Sequence, residues 1–451
     1  MRLGNKKKKF ALTSTSNMSG LASLQTLVPV ELDIRTVYKA PKVIRDYKIW
    51  RPENQQGYST KGDNLIRWKI PSDEILDLKR SSLMMKVILE KTGGSYIRLA
   101  QGCPIIDRVR IVIGNAEMDT QFYNRSMNYQ WNTSISADIQ ASIGQDKMGY
   151  GTQTDRNAEG ADPNGTTYTI IMKSGILNND ILPMKILNQM GGKVKNAFIE
   201  MTLAQPRQCL ESDGDNLQIT VNQLEWDYYK LSGSQWEADL ASKISSGRFT
   251  FGYRDWTVFQ NPVQSSSNDL MIPWRGSSLN AIHTILVSGA DLNNPLVNDR
   301  YTTWLKRLTA VGVVPTCDVT QYTYNFNNNW DPQEAISCRD DADRAYNMYL
   351  TDQGVWDNRM HMRFPATIDQ ESFNNDQFTM ILDYQSIPRN VWNTQTQDSI
   401  FNDLSSVDNS MNIILRLDLS NPPPVNTTAY HLISHNVIMK VGSDGELIKV
   451  F

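Results

Sequence analysis

Residues Leu65–Glu90 read LIRWKIPSDEILDLKRSSLMMKVILE: an apolar strand, a proline turn, and a longer strand opened by Ser81-Ser82-Leu83. About two hundred residues later the chain reads LMIPWRGSSLNAIHTILVS, again apolar, proline, then Ser277-Ser278-Leu279 and a strand. The segments beyond each copy correspond in the same order. Asp107–Asn115 (DRVRIVIGN) ends at a Gly-Asn turn and is answered by Val319–Asn328 (VTQYTYNFNN). Tyr168–Met172 is answered by Phe378–Leu382. Phe198–Leu203, a loop with Pro206 and Leu217–Val221 are answered by Ile413–Leu419, Pro422–Pro424 and Tyr430–Ile438. Each match alone is short, but four in one order point to two tandem copies of one β domain.

The bulk properties agree with a large folded chain. At 451 residues with 40 % hydrophobic side chains, two or three domains with substantial cores are expected. The polar remainder, rich in Asn, Gln, Ser and Thr, suits strands joined by polar loops. A net charge of −3 argues against gripping nucleic acid as the main task, which usually needs a strongly basic face. Cys103, Cys209, Cys317 and Cys338 form no C-x-x-C pair and read as buried thiols, pointing weakly to assembly in a reducing compartment. No apolar run reaches the ~18 residues of a membrane-spanning helix, and the N-terminus lacks the apolar region of a secretory signal.

The spacing divides the chain into an arm (1–30), a first β domain (31–232), a linker helix (233–247) and a second β domain (248–451). In the arm, Lys6, Lys7, Lys8 and Lys9 read first as a solvated tail; the sharper reading is contact with an anionic partner such as phosphate or lipid headgroups. Leu83, Met85, Val87 and Leu89 face one way, and Met84, Lys86, Ile88 and Glu90 the other. The second side is only partly polar, so this strand and Leu279–Val287 are expected to be covered on both faces. Gly114-Asn115 predicts a tight hairpin. Tyr123–Ser142 has helix-like spacing, whereas 144–166 is so loaded with turn formers that it reads as a long exposed loop. Strands are expected at Tyr168–Lys173, Leu182–Leu187, Ala197–Leu203 and Leu217–Tyr229, the last with a bulge at Asn222-Gln223. Ser234 and Glu237 suggest a capping box, with Trp236, Leu240 and Ile244 along one helix face.

The second copy repeats the plan. Its strands are expected at Phe249–Tyr253, Leu279–Val287, Val319–Phe326, Phe378–Leu382, Met411–Leu419 and Tyr430–Lys440. Helical segments are expected at Asn298–Leu308, followed by Thr309–Val314, and at Asp340–Leu350. A terminal hairpin turns at Ser443-Asp444-Gly445.

The residues that could carry chemistry do not assemble into an active site. His431 and His435 are four apart, but the β-branched, alternating surroundings say strand rather than a metal-binding helix face. His283 reads as a packed core histidine and His361 as a loop residue. G-x-S-x-G, G-x-G-x-x-G and phosphate-loop patterns do not occur. Asp340-Asp341-x-Asp343 lacks the glycine and closing glutamate of a calcium loop and reads as a helix N-terminus. The eleven tryptophans are spread along the chain. The sequons at Asn132, Asn164 and Asn426 are what an Asn/Thr-rich composition produces. Neither cofactor nor small-molecule substrate is expected.

All-β halves with long loops and short helices fit two tandem eight-stranded jelly-roll β-barrels. Here the chain resembles the double jelly-roll major capsid proteins of tailless phages, virophages, Polinton-like elements and adenovirus-type hexons. The doubled IPSDEILDLKRSSLMMKVIL and IPWRGSSLNAIHTIL openings, ILPMKIL and LQITVNQLEWDYYKL carry that resemblance, over residues 31–451. It implies a non-enzymatic shell protein of the virion, three copies forming a pseudo-hexameric capsomer. Neighbouring capsomers, penton and minor capsid proteins would be its partners. The lysine arm would lie at the capsid interior, facing neighbouring capsomers, genome or membrane. The main alternative is a tandem β-sandwich that binds or processes glycans, which would need paired carboxylates or aromatic platforms. A single-jelly-roll capsid protein with a projecting domain, or a secreted adhesin, fits the repeat and the N-terminus less well.

Overall fold

The computed structural model describes residues 43–53, 57–62, 64–100, 102, 104–134, 151–170, 172, 175–178, 181–246, 250–276, 279–288, 307–308, 317–326, 329–338, 343–352, 368–375, 377–383, 412–442 and 445–449. Eight principal strands precede a helix and eight come after it. The first set is β1 (Ile44–Trp50), β2 (Leu65–Lys69), β3 (Ile75–Thr92), β4 (Ile106–Ile113), β5 (Ala116–Thr120), β6 (Thr166–Ile170), β7 (Ala197–Leu203) and β8 (Asp215–Ser232). The second is β9 (Thr250–Pro262), β10 (Ser267–Ile272), β11 (Leu279–Val287), β12 (Cys317–Phe326), β13 (Asn329–Ser337), β14 (Met380–Asp383), β15 (Ile413–Leu419) and β16 (Thr428–Val441).

The hydrogen-bonded order is the same in both sets. The first forms sheets β1-β8-β3-β6 and β2-β7-β4-β5; the second forms β9-β16-β11-β14 and β10-β15-β12, with β13 on β12. Both are the two-sheet jelly-roll order, antiparallel throughout. Each strand of the first roll therefore has a counterpart eight strands later.

Local chemistry accounts for the elements. Along β3, Leu83, Met85, Val87 and Leu89 are buried between the sheets while Met84, Lys86 and Ile88 are half-buried outside. Gly114 takes a positive φ of 62°, as the two-residue hairpin between β4 and β5 requires. The β8 register slips between Val221 and Gln223, at the expected bulge. Between the sheets of the first roll, Trp226 stacks on Trp50 at 5.4 Å and meets Trp68 edge-on at 5.5 Å.

Seven helices are described: α1 (Tyr123–Ser134), α2 (Gln153–Ala161), α3 (Met184–Gly191), α4 (Pro206–Cys209), α5 (Ser234–Ser245), α6 (Asp343–Asp352) and α7 (Gln370–Asn375). Several expectations need correction. The stretch read as a loop at 144–166 contains α2, started by Thr152, whose side chain caps the amide of Asp155. Leu182–Leu187 is not a strand. Leu182 makes one bridge to Leu76, then α3 begins, burying Met184, Ile186 and Leu187 and ending at Gly192 with φ 68°. In α5 the cap residue is Gly233, and Ser234 makes no capping bond; only the Glu237 half of the box forms, accepting from the Gly233 amide at 3.1 Å. Arg307–Leu308 is a short strand on β12 rather than the end of a helix. The rest of Asn298–Leu308, with Thr309–Val314, His361, Cys103 and residues 135–142, lies outside the described residues.

The two rolls share their interiors. Val437, Met439 and Val441 of β16 and Tyr253 of β9 belong to the first core, and Tyr129 of α1 belongs to the second. On α1, Tyr123, Met127 and Trp131 recur every fourth residue and enter the first core, while Tyr129 enters the second, against which Phe122, just before the helix, also packs. Residues Ile44–Phe451 accordingly form one compact unit.

Candidate assembly surfaces

His283, His431 and His435 are buried in the fold. His431 and His435 share the inner face of β16; His431 Nδ1 is 2.9 Å from the Thr284 hydroxyl and His435 Nε2 3.0 Å from that of Thr257. Burial drives the His431 pKa down to about 3, so it is neutral in the fold, and burial also lowers that of His435. Among the described residues no three His, Cys, Asp or Glu side chains are placed to hold a metal. His283 faces outward from β11 to meet α1, its Nδ1 2.7 Å from the Tyr129 hydroxyl and its Nε2 3.5 Å from Asp352 of α6. The register slips between Leu279 and Ala281, which turns Thr284 to the inside, where its hydroxyl is 3.0 Å from that of Tyr324. The expected cover on both faces therefore holds for β11, buried from end to end, but only half for β3.

A second buried network ties α2 to the first roll. Glu211 Oε2 accepts from Arg98 Nε at 2.6 Å and faces Arg156 Nη2 at 3.1 Å, with all three side chains at most 5 % exposed. Arg98 also donates to Asn157 at 3.0 Å and Arg156 to the Leu99 carbonyl at 2.6 Å. Sequence reading missed this set. Its members are far apart in the chain, and no periodic pattern marks them.

The outer surfaces differ in character. On sheet β2-β7-β4-β5, Arg108 pairs with Asp119, and Arg110 with Glu117 at 2.6 Å and Glu200 at 3.0 Å. The hydrogen bond from Arg110 holds the Glu117 carboxyl below its ordinary pKa. Arg67 lies over the Phe198 ring at 4.1 Å. In the second roll, Arg416 pairs with Asp269 at 2.9 Å and covers Trp330 at 4.4 Å. These faces are charged and internally compensated. The outer face of β1-β8-β3-β6 is more apolar, with Tyr47 53 % and Ile49 50 % exposed beside half-buried Met84 and Ile88. The Tyr47 hydroxyl bonds to Asp227, which with desolvation raises its pKa to about 12.

Of the residues singled out from the sequence, Lys6, Lys7, Lys8 and Lys9 lie outside the described residues. Asn132 is buried in α1, and Asn426 occupies a turn with φ 64°. Cys209, Cys317 and Cys338 are buried. Asp343 stands in the first turn of α6, where its charge suits the helix N-terminus.

Neither a family model nor a curated protein matches the chain by sequence. Solved structures do match by shape. The Faustovirus major capsid protein aligns over 95 % of this chain and 98 % of its own, at TM-score 0.56 and 8 % identity. A chain from the quasi-atomic PBCV-1 virus capsid aligns over 93 % and 99 %, at 0.58 and 10 %. A chain from the Sputnik virophage aligns over 94 % and 92 %, at 0.54 and 9 %. With the strand order repeated in both halves, these likenesses establish that the chain has the double jelly-roll fold.

Proposed function

We propose that this chain is a major capsid protein, a structural rather than catalytic component of an icosahedral virion shell. The observation that carries the reading is the extent of the likeness: both rolls, in order, over nearly the whole length of chains solved as capsid proteins. At so low an identity the sequence has drifted while the doubled strand order has stayed, as expected where function depends on the shape of a repeated tile. In this reading three copies associate into a capsomer of six similar barrels, which tiles a hexagonal lattice. Residues 31–232 and 248–451 form the two barrels, joined by the segment 233–247. Residues 1–30, with Lys6–Lys9, form an arm toward the capsid interior, where weak contact with genome or membrane would be electrostatic. Neighbouring capsomers, penton and minor capsid proteins complete the set of partners.

Light scattering on the purified full-length chain tests this directly. A mass of three times 51.3 kDa, with hexagonal outlines in electron micrographs, is the expected result. A stable monomer that binds glycans overturns it.

A further inference from the structure

Helix α1 carries a side chain of the first roll into the second, and the hairpin 441–449 carries side chains of the second roll back into the first. Its turn closes with the Gly442 amide donating to the Glu446 carbonyl at 2.8 Å and the Gly445 amide to the Gly442 carbonyl at 3.0 Å. Leu447–Lys449 then pairs with Met439–Val441 of β16 and, among the described residues, with no other strand. An edge strand of three residues gains little hold from its own sheet.

The first roll supplies the rest of the hold. Leu447 is 2 % exposed and belongs to the first core. Gly445, at a φ of 75°, lies so close to α3 that an added Cβ would be 2.5 Å from the Leu187 carbonyl oxygen. The Glu446 carboxylate bridges two segments of the first roll. Its Oε1 accepts from Asn115 Nδ2 at 2.7 Å, in the turn between β4 and β5, and its Oε2 is 3.1 Å from Lys193 Nζ, just after α3. Gly114 lets those segments meet, since a Cβ there would lie 2.8 Å from the Lys193 carbonyl oxygen. With the Lys193 side chain 47 % exposed, water screens the ion pair, and buried Leu447 is the stronger anchor.

We propose that the hairpin 441–449 is a latch on the first roll: it opens while the rest of the second roll stays folded, and its seating sets the order of α3 and of the β4–β5 turn. Opening withdraws Leu447 from the first core and the Glu446 carboxylate from Asn115 and Lys193. A short segment held mainly by its partner surface is where local opening costs least. Joining of copies needs a formed first roll, so an open latch holds a chain out of the capsomer; that last step alone rests on the capsid reading.

Hydrogen exchange on the full-length chain tests the latch, with Leu447→Asp, Glu446→Lys and the charge-swapped double variant Glu446→Lys/Lys193→Glu. Leu447→Asp should speed exchange in Met184–Gly191 and Ala116–Thr120 by about tenfold or more, and Glu446→Lys by about threefold, while Ile413–Leu419 of the second roll keeps its protection. The double variant should return both segments to the wild-type rate, which general damage to the fold would not do. Should Leu447→Asp fail to fold, Glu446→Lys and its rescue decide the matter. Faster exchange confined to Leu447–Lys449, or spread evenly over both rolls, overturns the latch, as does a double variant no better than Glu446→Lys. Light scattering on the same samples tests the step that involves other copies. A wild-type trimer that Leu447→Asp reduces to single chains supports it, and a Leu447→Asp trimer with α3 loosened overturns it. A glycan-binding wild-type monomer overturns the capsid reading, while the exchange rates still decide the latch.

Discussion

Glu211 divides one carboxylate between two guanidinium groups, and both arginines depend on it. Removing a single member of a buried ion set leaves charge that cannot reach water, at a cost of about 3–5 kcal/mol. Glu211→Ala should therefore lower the stability of the full chain by about that much in urea titration, and Glu211→Gln by less, since the amide oxygen still accepts a hydrogen bond. His431 sets a different test. Its pKa of about 3 in the fold lies below its ordinary value of 6.5. The unfolded chain therefore binds a proton that the folded one refuses as pH drops below about 6.5, so its contribution is present above that pH and is lost as pH falls toward 3. His431→Gln should flatten the dependence of the urea midpoint on pH between 6.5 and 3. An unchanged slope would show that His431 is not the residue that resists protonation. Neither role could be read from the sequence. Arg98 and Glu211 are 113 residues apart, and only the pairing of Leu210–Ser212 with Ile97–Leu99 brings them together.

At the scale of elements, α2 shows how composition misleads. Gly, Asn and Asp around it read as loop, yet Thr152 caps a helix whose buried face is held by Arg156 and Gly160. Gly160 is required by proximity rather than by φ: an added Cβ would lie 1.8 Å from the carbonyl oxygen of Ile97. Gly160→Ala should push α2 off that strand, costing about 1–3 kcal/mol as overpacking does. Hydrogen exchange should accelerate through Gln153–Ala161 while β3 and β8 stay protected; unchanged exchange there would show that the helix tolerates the methyl group. The misreading of Leu182–Leu187 has a related cause. ILPMKIL is apolar enough for either element, and its length does not decide between them. Pro183 and the left-handed Gly192 bracket a helix that fills the end of the first core.

For the whole molecule, the exchange of side chains between cores predicts one cooperative unit despite two similar halves. Calorimetry on the wild-type chain should show a single transition. Tyr129→Ala removes the ring that α1 inserts beside His283 and Trp256, leaving a cavity and a buried imidazole without that hydroxyl. That variant should unfold in two steps, or lose about 3–5 kcal/mol in one. A melt identical to wild type would mean that α1 is not what couples the rolls.

Sequence alone determined the doubled β plan, because strand alternation and turn chemistry are local: β7, β11 and β15 stand where periodicity or matched spacing placed them, and the β8 bulge falls at the phase shift. Tertiary structure alone decided what covers each sheet. The same alternation serves a face covered by its own chain, as in β11, and one left partly open, as in β1 and β3. Which faces are covered depends on how α1 and α6 return to the rolls from distant positions, and no local pattern of residues encodes that contact.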